Sequence, residues 1–168
     1  FQSHARSVQG ELQRALSAVA DHPVELHAAG RTDAGVHALE MVAHFDTTAE
    51  RPLHAWVLGT NANLSDEVTV LWAQPVAGSF HARHSAEARR YHYSILDRRL
   101  RPALERHRVC WVRQPLDAEP MHAAAQALVG QHDFSAFRAA QCQSPTAVRR
   151  LLDIAVERQG AYVELRIR

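Results

Sequence analysis

Ala29-Gly30-Arg31-Thr32-Asp33-Ala34-Gly35-Val36-His37-Ala38 is the stretch on which the reading of this chain turns. Two glycines bracket Arg31-Thr32-Asp33-Ala34, and glycine admits the backbone turns that lift a short loop off a strand end. Arg31 stands two positions before Asp33, so both side chains can converge on one pocket. A guanidinium beside a carboxylate keeps it ionised and orients it. An ionised, partly desolvated carboxylate is a competent nucleophile toward a sugar carbon. The competing reading is a tight turn whose aspartate bonds backbone amides, which is the commoner use of such loops. Spacing alone leaves both open.

Working outward, Val24 to Ala29 alternates like a strand leading into the loop, and Val36 to Phe45 reads as extended again. Before them, residues 7 to 20 read as a helix capped by Ser7, with Val8, Leu12, Leu16 and Val19 on one face and His22-Pro23 as its stop. After them come a helix over Leu53 to Leu58, ended by Gly59 and an Asn61/Asn63 turn, and a β-branched strand over Val68 to Ala73. Pro75 to Ser79 is the expected boundary, dividing the chain into subdomains 1–78 and 79–168. In the second, Ala88 to Leu96 and Val109 to Val112 read as strands. Asp117 caps a helix through Val129 that Gly130 ends. Residues 131 to 146 read as polar and irregular, and Leu151 to Glu157 with Ala161 to Ile167 as a hairpin around Gln159-Gly160. The expected class is α+β, two small mixed α/β subdomains with antiparallel sheets.

Composition narrows the chemistry. All 19 basic residues are arginine, which excludes a Schiff-base lysine and a P-loop lysine. No apolar run approaches a membrane span and no secretory pattern opens the sequence. Two separated cysteines, Cys110 and Cys142, suit a reducing cytoplasm and small buried hydrophobes. Net charge is +1, yet residues 80 to 113 hold nine arginines against three acids, while the remainder is acidic on balance. Such a segment suits a polyanion partner or, equally, a solvated face laced with ion pairs. Twelve histidines raise a metal hypothesis, but His81/His84 and His107 with Cys110 do not complete a ligand set. Scattered surface or hydrogen-bonded histidines, with no metal, are the expectation.

Tyr91 and Tyr93 alternate along the basic strand and share a sheet face. Core packing is the ordinary use of such a pair. An RNA surface is the other, because arginine neutralises phosphates while tyrosine stacks on an unpaired base.

The stretch from Ala29 to Ala38 closely resembles the signature of the bacterial tRNA pseudouridine synthase A family. Further stretches agree in the same order. Asn61-Ala62-Asn63-Leu64 resembles a turn of that family, and Phe80-His81-Ala82-Arg83-His84-Ser85-Ala86 followed by Arg89-Arg90-Tyr91-His92-Tyr93 resembles its second motif. His132-Asp133-Phe134-Ser135-Ala136-Phe137-Arg138 resembles a third, and the likeness extends over essentially the whole chain.

The resemblance implies a pseudouridine synthase fold, with two subdomains flanking a central RNA-binding cleft. It implies isomerisation of uridine to pseudouridine in the anticodon stem-loop of tRNA, gripped by a homodimer in the cytoplasm without a cofactor. Asp33 matches the catalytic aspartate and Arg31 the arginine beside it. Tyr91 matches the tyrosine that packs on the target base, and Arg83, Arg89 and Arg90 stand where phosphates would bind. Family members begin before the residues matching Phe1-Gln2 and continue past Arg168 into a His-Met-Val-Arg stretch, so truncation at both ends is expected. A catalytically incomplete RNA-binding fragment is the alternative. An unrelated hydrolase using Asp33 and His37 as an acid–base pair is a further one.

Overall fold

The computed structural model describes residues 6–138 and 145–168. Its described residues divide into two compact units, one comprising residues 6–33 and 38–87, the other 34–37, 88–138 and 145–168. The second unit thus begins at Ala88 and takes in four residues of the signature loop, whereas composition placed the boundary at Pro75 to Ser79.

The first unit is built on two helices and a short ribbon. Helix α1 spans Val8–Ala20. Ser7 caps it, its Oγ accepting from Gly10 N at 3.2 Å, and Asp21 ends it in the left-handed region at φ 59°. Aspartate tolerates that conformation better than most residues. Leu16 and Ala20 are buried against Val24, Leu26 and Trp56, with Leu12, Val19 and Phe45 packed around them. Each large apolar side chain so buried contributes about 1.5–3 kcal/mol. Val8, expected on this face, is instead exposed.

Helix α2 spans Leu53–Asn61 and runs straight through Gly59. Gly59 is no terminator: a Cβ there would lie 3.1 Å from Val19 Cγ2, so its bare Cα lets α2 approach α1 closely. The ribbon consists of β1 (His27–Ala28) antiparallel to β2 (Ala43–His44), far shorter than the extended runs expected around the loop. Val68 to Ala73 joins no ladder among the described residues; Val70 pairs with the side chain of Asn61 instead.

The second unit carries a four-stranded sheet in the order β4-β3-β8-β7, from β3 (Tyr91–Asp97), β4 (Cys110–Val112), β7 (Ile154–Gln159) and β8 (Tyr162–Ile167). All its pairings are antiparallel except β3 with β4, so the sheet is mixed rather than wholly antiparallel. Gly160 makes the expected β7–β8 turn at φ 61°.

Helix α3 (Ala118–Ala125) packs along β7. His122 Nδ1 accepts from Val156 N at 3.2 Å and Gln126 Nε2 donates to Ile154 O at 3.0 Å, which satisfies main-chain groups of that strand and discourages pairing with another chain. The helix gives way to a 3-10 turn at Gln126–Leu128, and Gly130, at φ 113°, opens a strand rather than capping the helix. That strand, β5 (Gly130–Asp133), pairs antiparallel with β6 (Val148–Leu151), so part of the stretch expected to be irregular is ordered as a ribbon. Cys110 is exposed, contrary to its expected role as a buried hydrophobe; Cys142 lies outside the described residues. No helix among the described residues is long and apolar enough to cross a membrane.

Candidate active-site loop and RNA-contacting strand

The loop bearing Asp33 leaves one strand of a ribbon and returns to the other. Ala28 pairs with Ala43, and one residue further on Ala29 N donates to Val42 O at 2.8 Å, closing the neck. Residues 31–40 are all exposed. Gly35 sits at φ 85°, a conformation that suits glycine, so the turn at Ala34-Gly35 depends on that residue. Among the described residues no side chain or amide donates a hydrogen bond to the Asp33 carboxylate, so it does not serve as a turn-capping aspartate. Nor does an ion pair join it to Arg31, which is exposed and engaged elsewhere. The expected Arg31–Asp33 pairing is therefore not made. His37, the partner that a hydrolase would need, places Nε2 3.4 Å from His107 O.

Below the neck lies a feature that sequence reasoning missed. His27 and His44 face each other across the ribbon with rings stacked, centroids 5.1 Å apart. His81 packs on both, at 4.6 Å from His44 and 5.7 Å from His27, and His84 packs on His81 at 4.3 Å. Four of the twelve histidines thus form one cluster, two of them hydrogen-bonded. The available signals were the close pair His81/His84 and the positions of His27 and His44 just outside the two ends of the loop. Among the described residues no group of three or more His, Cys, Asp or Glu is arranged to hold a metal ion.

The turn carrying Arg83 is tied to this cluster. Ala82 is buried, its N donating to His44 Nδ1 at 3.1 Å, while Arg83 N and His84 N donate to His81 Nδ1 at 3.2 and 3.4 Å. The Arg83 side chain is exposed.

In the second unit, Tyr91 and Tyr93 are 60% and 51% exposed, which removes core packing as their role. They stand opposite Ile167 and Leu165 of β8. On the other face Glu164 Oε2 accepts from Ser94 Oγ at 2.6 Å and lies 2.7 Å from His92 Nε2, which clamps β3 to β8 beside the tyrosines. A hydrogen bond with the Cys110 thiol, helped by burial, pushes the Tyr93 hydroxyl above its usual range. Arg89 and Arg90 are exposed just before the strand; Arg89 has contacts of its own. The third motif is structural in this unit. Asp133 Oδ1 accepts from Ser135 N at 2.8 Å and from Ser135 Oγ at 2.5 Å, bonds that hold its carboxyl below the usual range and start a 3-10 turn at Ser135–Phe137.

A family model described as tRNA pseudouridine synthase matches residues 1–85 and 124–168. The chain belongs to the tRNA pseudouridine synthase family. The match spans the Asp33 loop, the Arg83 turn and the His132–Arg138 motif, and it leaves out residues 86–123. Relatives close that gap. The chain is 55% identical over 161 residues to the tRNA pseudouridine synthase A of Xanthomonas euvesicatoria pv. vesicatoria, covering 96% of this chain and 63% of that protein. It is 51% identical over 166 residues to the tRNA pseudouridine synthase A of Coxiella burnetii (strain Dugway 5J108-111), covering 99% and 64%. The same protein of Xanthomonas oryzae pv. oryzae (strain PXO99A) is 55% identical over 161 residues. The chain spans just under two thirds of the length of these synthases.

Proposed function

We propose that this chain carries the catalytic aspartate of an enzyme that isomerises uridine to pseudouridine in tRNA. The observation that supports it is the exposed, unbonded carboxylate of Asp33, held at the tip of a ribbon inside the family's signature. The reaction breaks the C–N glycosidic bond, turns the uracil and forms a C–C bond at C5. It conserves atoms and oxidation state, so it needs no redox cofactor and no energy source. Asp33 acts as nucleophile at C1′ of the ribose or C6 of the base, or takes a ribose proton in a glycal route. The target base must first leave its stack.

In this reading Tyr91 packs on the flipped base, and its hydroxyl is the candidate for removing the C5 proton. Arg31, beside the aspartate, contacts the substrate nucleotide, and Arg83, Arg89 and Arg90 meet the phosphates. The RNA is the anticodon stem-loop, recognised more by shape and backbone than by base sequence. A homodimer grips it, in the cytoplasm, and the chain divides functionally between 1–78, with the nucleophile, and 79–168, with the stacking strand.

Tritium release from tRNA labelled at uridine C5 tests this in the full-length protein. Asp33→Asn should abolish release while tRNA binding persists. Binding without release by the unaltered full-length protein would overturn the assignment and leave RNA binding alone. Phosphodiester or glycoside cleavage would point to the hydrolase.

A further inference from the structure

The histidine cluster has a geometry that surface histidines do not need. Two of its imidazoles receive main-chain amides at Nδ1: His44 from Ala82, and His81 from both Arg83 and His84. A nitrogen that accepts an N–H carries no proton of its own. The bonded amides belong to the turn bearing Arg83, and His44 belongs to the ribbon bearing Asp33. Ala82, only 3% exposed, seats that turn against the ribbon. The two bonds to His81 Nδ1 are internal to the turn, as are those from Ser85 N to His81 O at 2.8 Å and from His81 N to Ser85 Oγ at 3.0 Å. His44 therefore fastens the turn to the neck of the loop by a hydrogen bond, while His81 shapes the turn from within and packs its ring on His44 and His27.

We propose that His44 and His81 are positioning residues that hold the Arg83 turn in register with the Asp33 ribbon, and that they do so only while their Nδ1 atoms are unprotonated. Tight tRNA binding is then lost as the cluster gains protons. This rests on reading Arg83 as a phosphate contact.

The surroundings fit such a device. His27 on β1 and His84 on the turn face the pair, Phe80 packs edge-on to His44, and Arg83 adds a cation on the same turn. Glu25, 3.8 Å from His27, is the nearby acid. Burial, and then repulsion from His84, His44 and His27, hold the His81 imidazole below its usual range. The unfolded chain therefore binds the His81 proton more readily. The contribution of this group is present above about pH 6.5 and is lost as the pH falls.

The test uses the full-length protein with 15N label. At pH 8 the His44 Nδ1 signal should be that of an unprotonated nitrogen, and the Ala82 amide signal should move as the pH is lowered. Loss of one such bond is worth roughly five- to tenfold in a binding constant. His44→Phe should accordingly raise the KM for tRNA by about that factor at pH 8, with kcat little changed. His44→Asn, whose Oδ1 can take the Ala82 amide without titrating, should keep the low KM and blunt its rise in acid. A protonated Nδ1 at pH 8, an Ala82 amide that ignores the titration, or a His44→Phe protein with unaltered KM would each overturn the proposal. If the unaltered protein released no tritium, the synthase reading would fall. The positioning claim would then be decided by the two NMR signals and by the pH dependence of the tRNA Kd.

Discussion

Asn61 meets Val70 as one strand meets another: its Nδ2 donates to Val70 O at 2.9 Å, and Val70 N donates to its Oδ1 at 2.7 Å. A single amide side chain thus replaces a missing ladder for the segment 68–73. This gives a physical reason for the asparagine turn that follows α2, where Asn63 Nδ2 also closes on Gly59 O at 2.8 Å. Asn61→Ala removes both bonds to Val70 and should cost about 1–3 kcal/mol. Asn61→Asp keeps the acceptor but loses the donor, and should fall between. Denaturant unfolding of the three proteins checks the order.

Gly35→Ala isolates backbone strain. At φ 85° an added Cβ meets no atom within 4 Å, so the cost is conformational rather than steric crowding by neighbours. About 1–2 kcal/mol is expected for holding alanine in the left-handed region. The loop is exposed and can relax, so the greater loss should fall on tritium release. A variant with full activity and unchanged stability would show that the turn at Ala34-Gly35 is dispensable.

Asp97 links stability to pH. Arg158 holds its carboxylate with two hydrogen bonds, at 3.0 and 2.5 Å, and Leu116 N adds a third at 2.8 Å. Arg158 is the main cause, and these bonds bring the Asp97 carboxyl down to about 2. The folded state therefore binds this proton less readily than the unfolded chain, whose aspartate titrates near 3.9. The contribution is complete above about pH 4 and disappears as the pH falls toward about 2. Asp97→Asn should lower the thermal midpoint at neutral pH and flatten its decline in acid. Equal declines in both proteins would assign the acid sensitivity to other groups.

Substitutions at Tyr91 test its proposed stacking and proton-transfer roles separately. Tyr91→Ala should cost about 1–3 kcal/mol of base stacking, seen in the KM for tRNA. Tyr91→Phe retains the ring, so a loss confined to kcat would assign the C5 proton step to the hydroxyl. Wild-type kcat in Tyr91→Phe would remove that role.

Arg83, Arg89 and Arg90 can be counted by salt. Replacing each by glutamine should reduce the slope of log Kd against log salt by roughly 0.7–0.9 if it neutralises one phosphate. An unchanged slope at any of the three would remove it from the RNA footprint.

Much was open to reading from local chemistry. Ser7 before an amphipathic run is enough to start α1, because capping and helical periodicity act within a few residues. Gln159-Gly160 between two alternating runs is enough for the β7–β8 hairpin, since a positive φ at one glycine sets the turn. The motifs around Asp33, Arg83 and His132 were contiguous, and so were sufficient to indicate the family. Gly59 and Gly130 do not end helices, as their local sequence suggests, because a glycine has several uses and the partner of each lies elsewhere in the chain. Gly59 is required by Val19, and Gly130 begins a strand that exists only beside residues 148–151.

The site divides in the same way. Its residue types stand in sequence, but Asp33's freedom from capping bonds and the exposure of the two tyrosines follow from packing alone. The meeting of His27, His44, His81 and His84 was least legible of all. It requires β1 to pair with β2 in one register and a turn some 40 residues downstream to dock on them. Periodicity reports which face of an element is apolar; it carries no information about which distant element arrives to cover it.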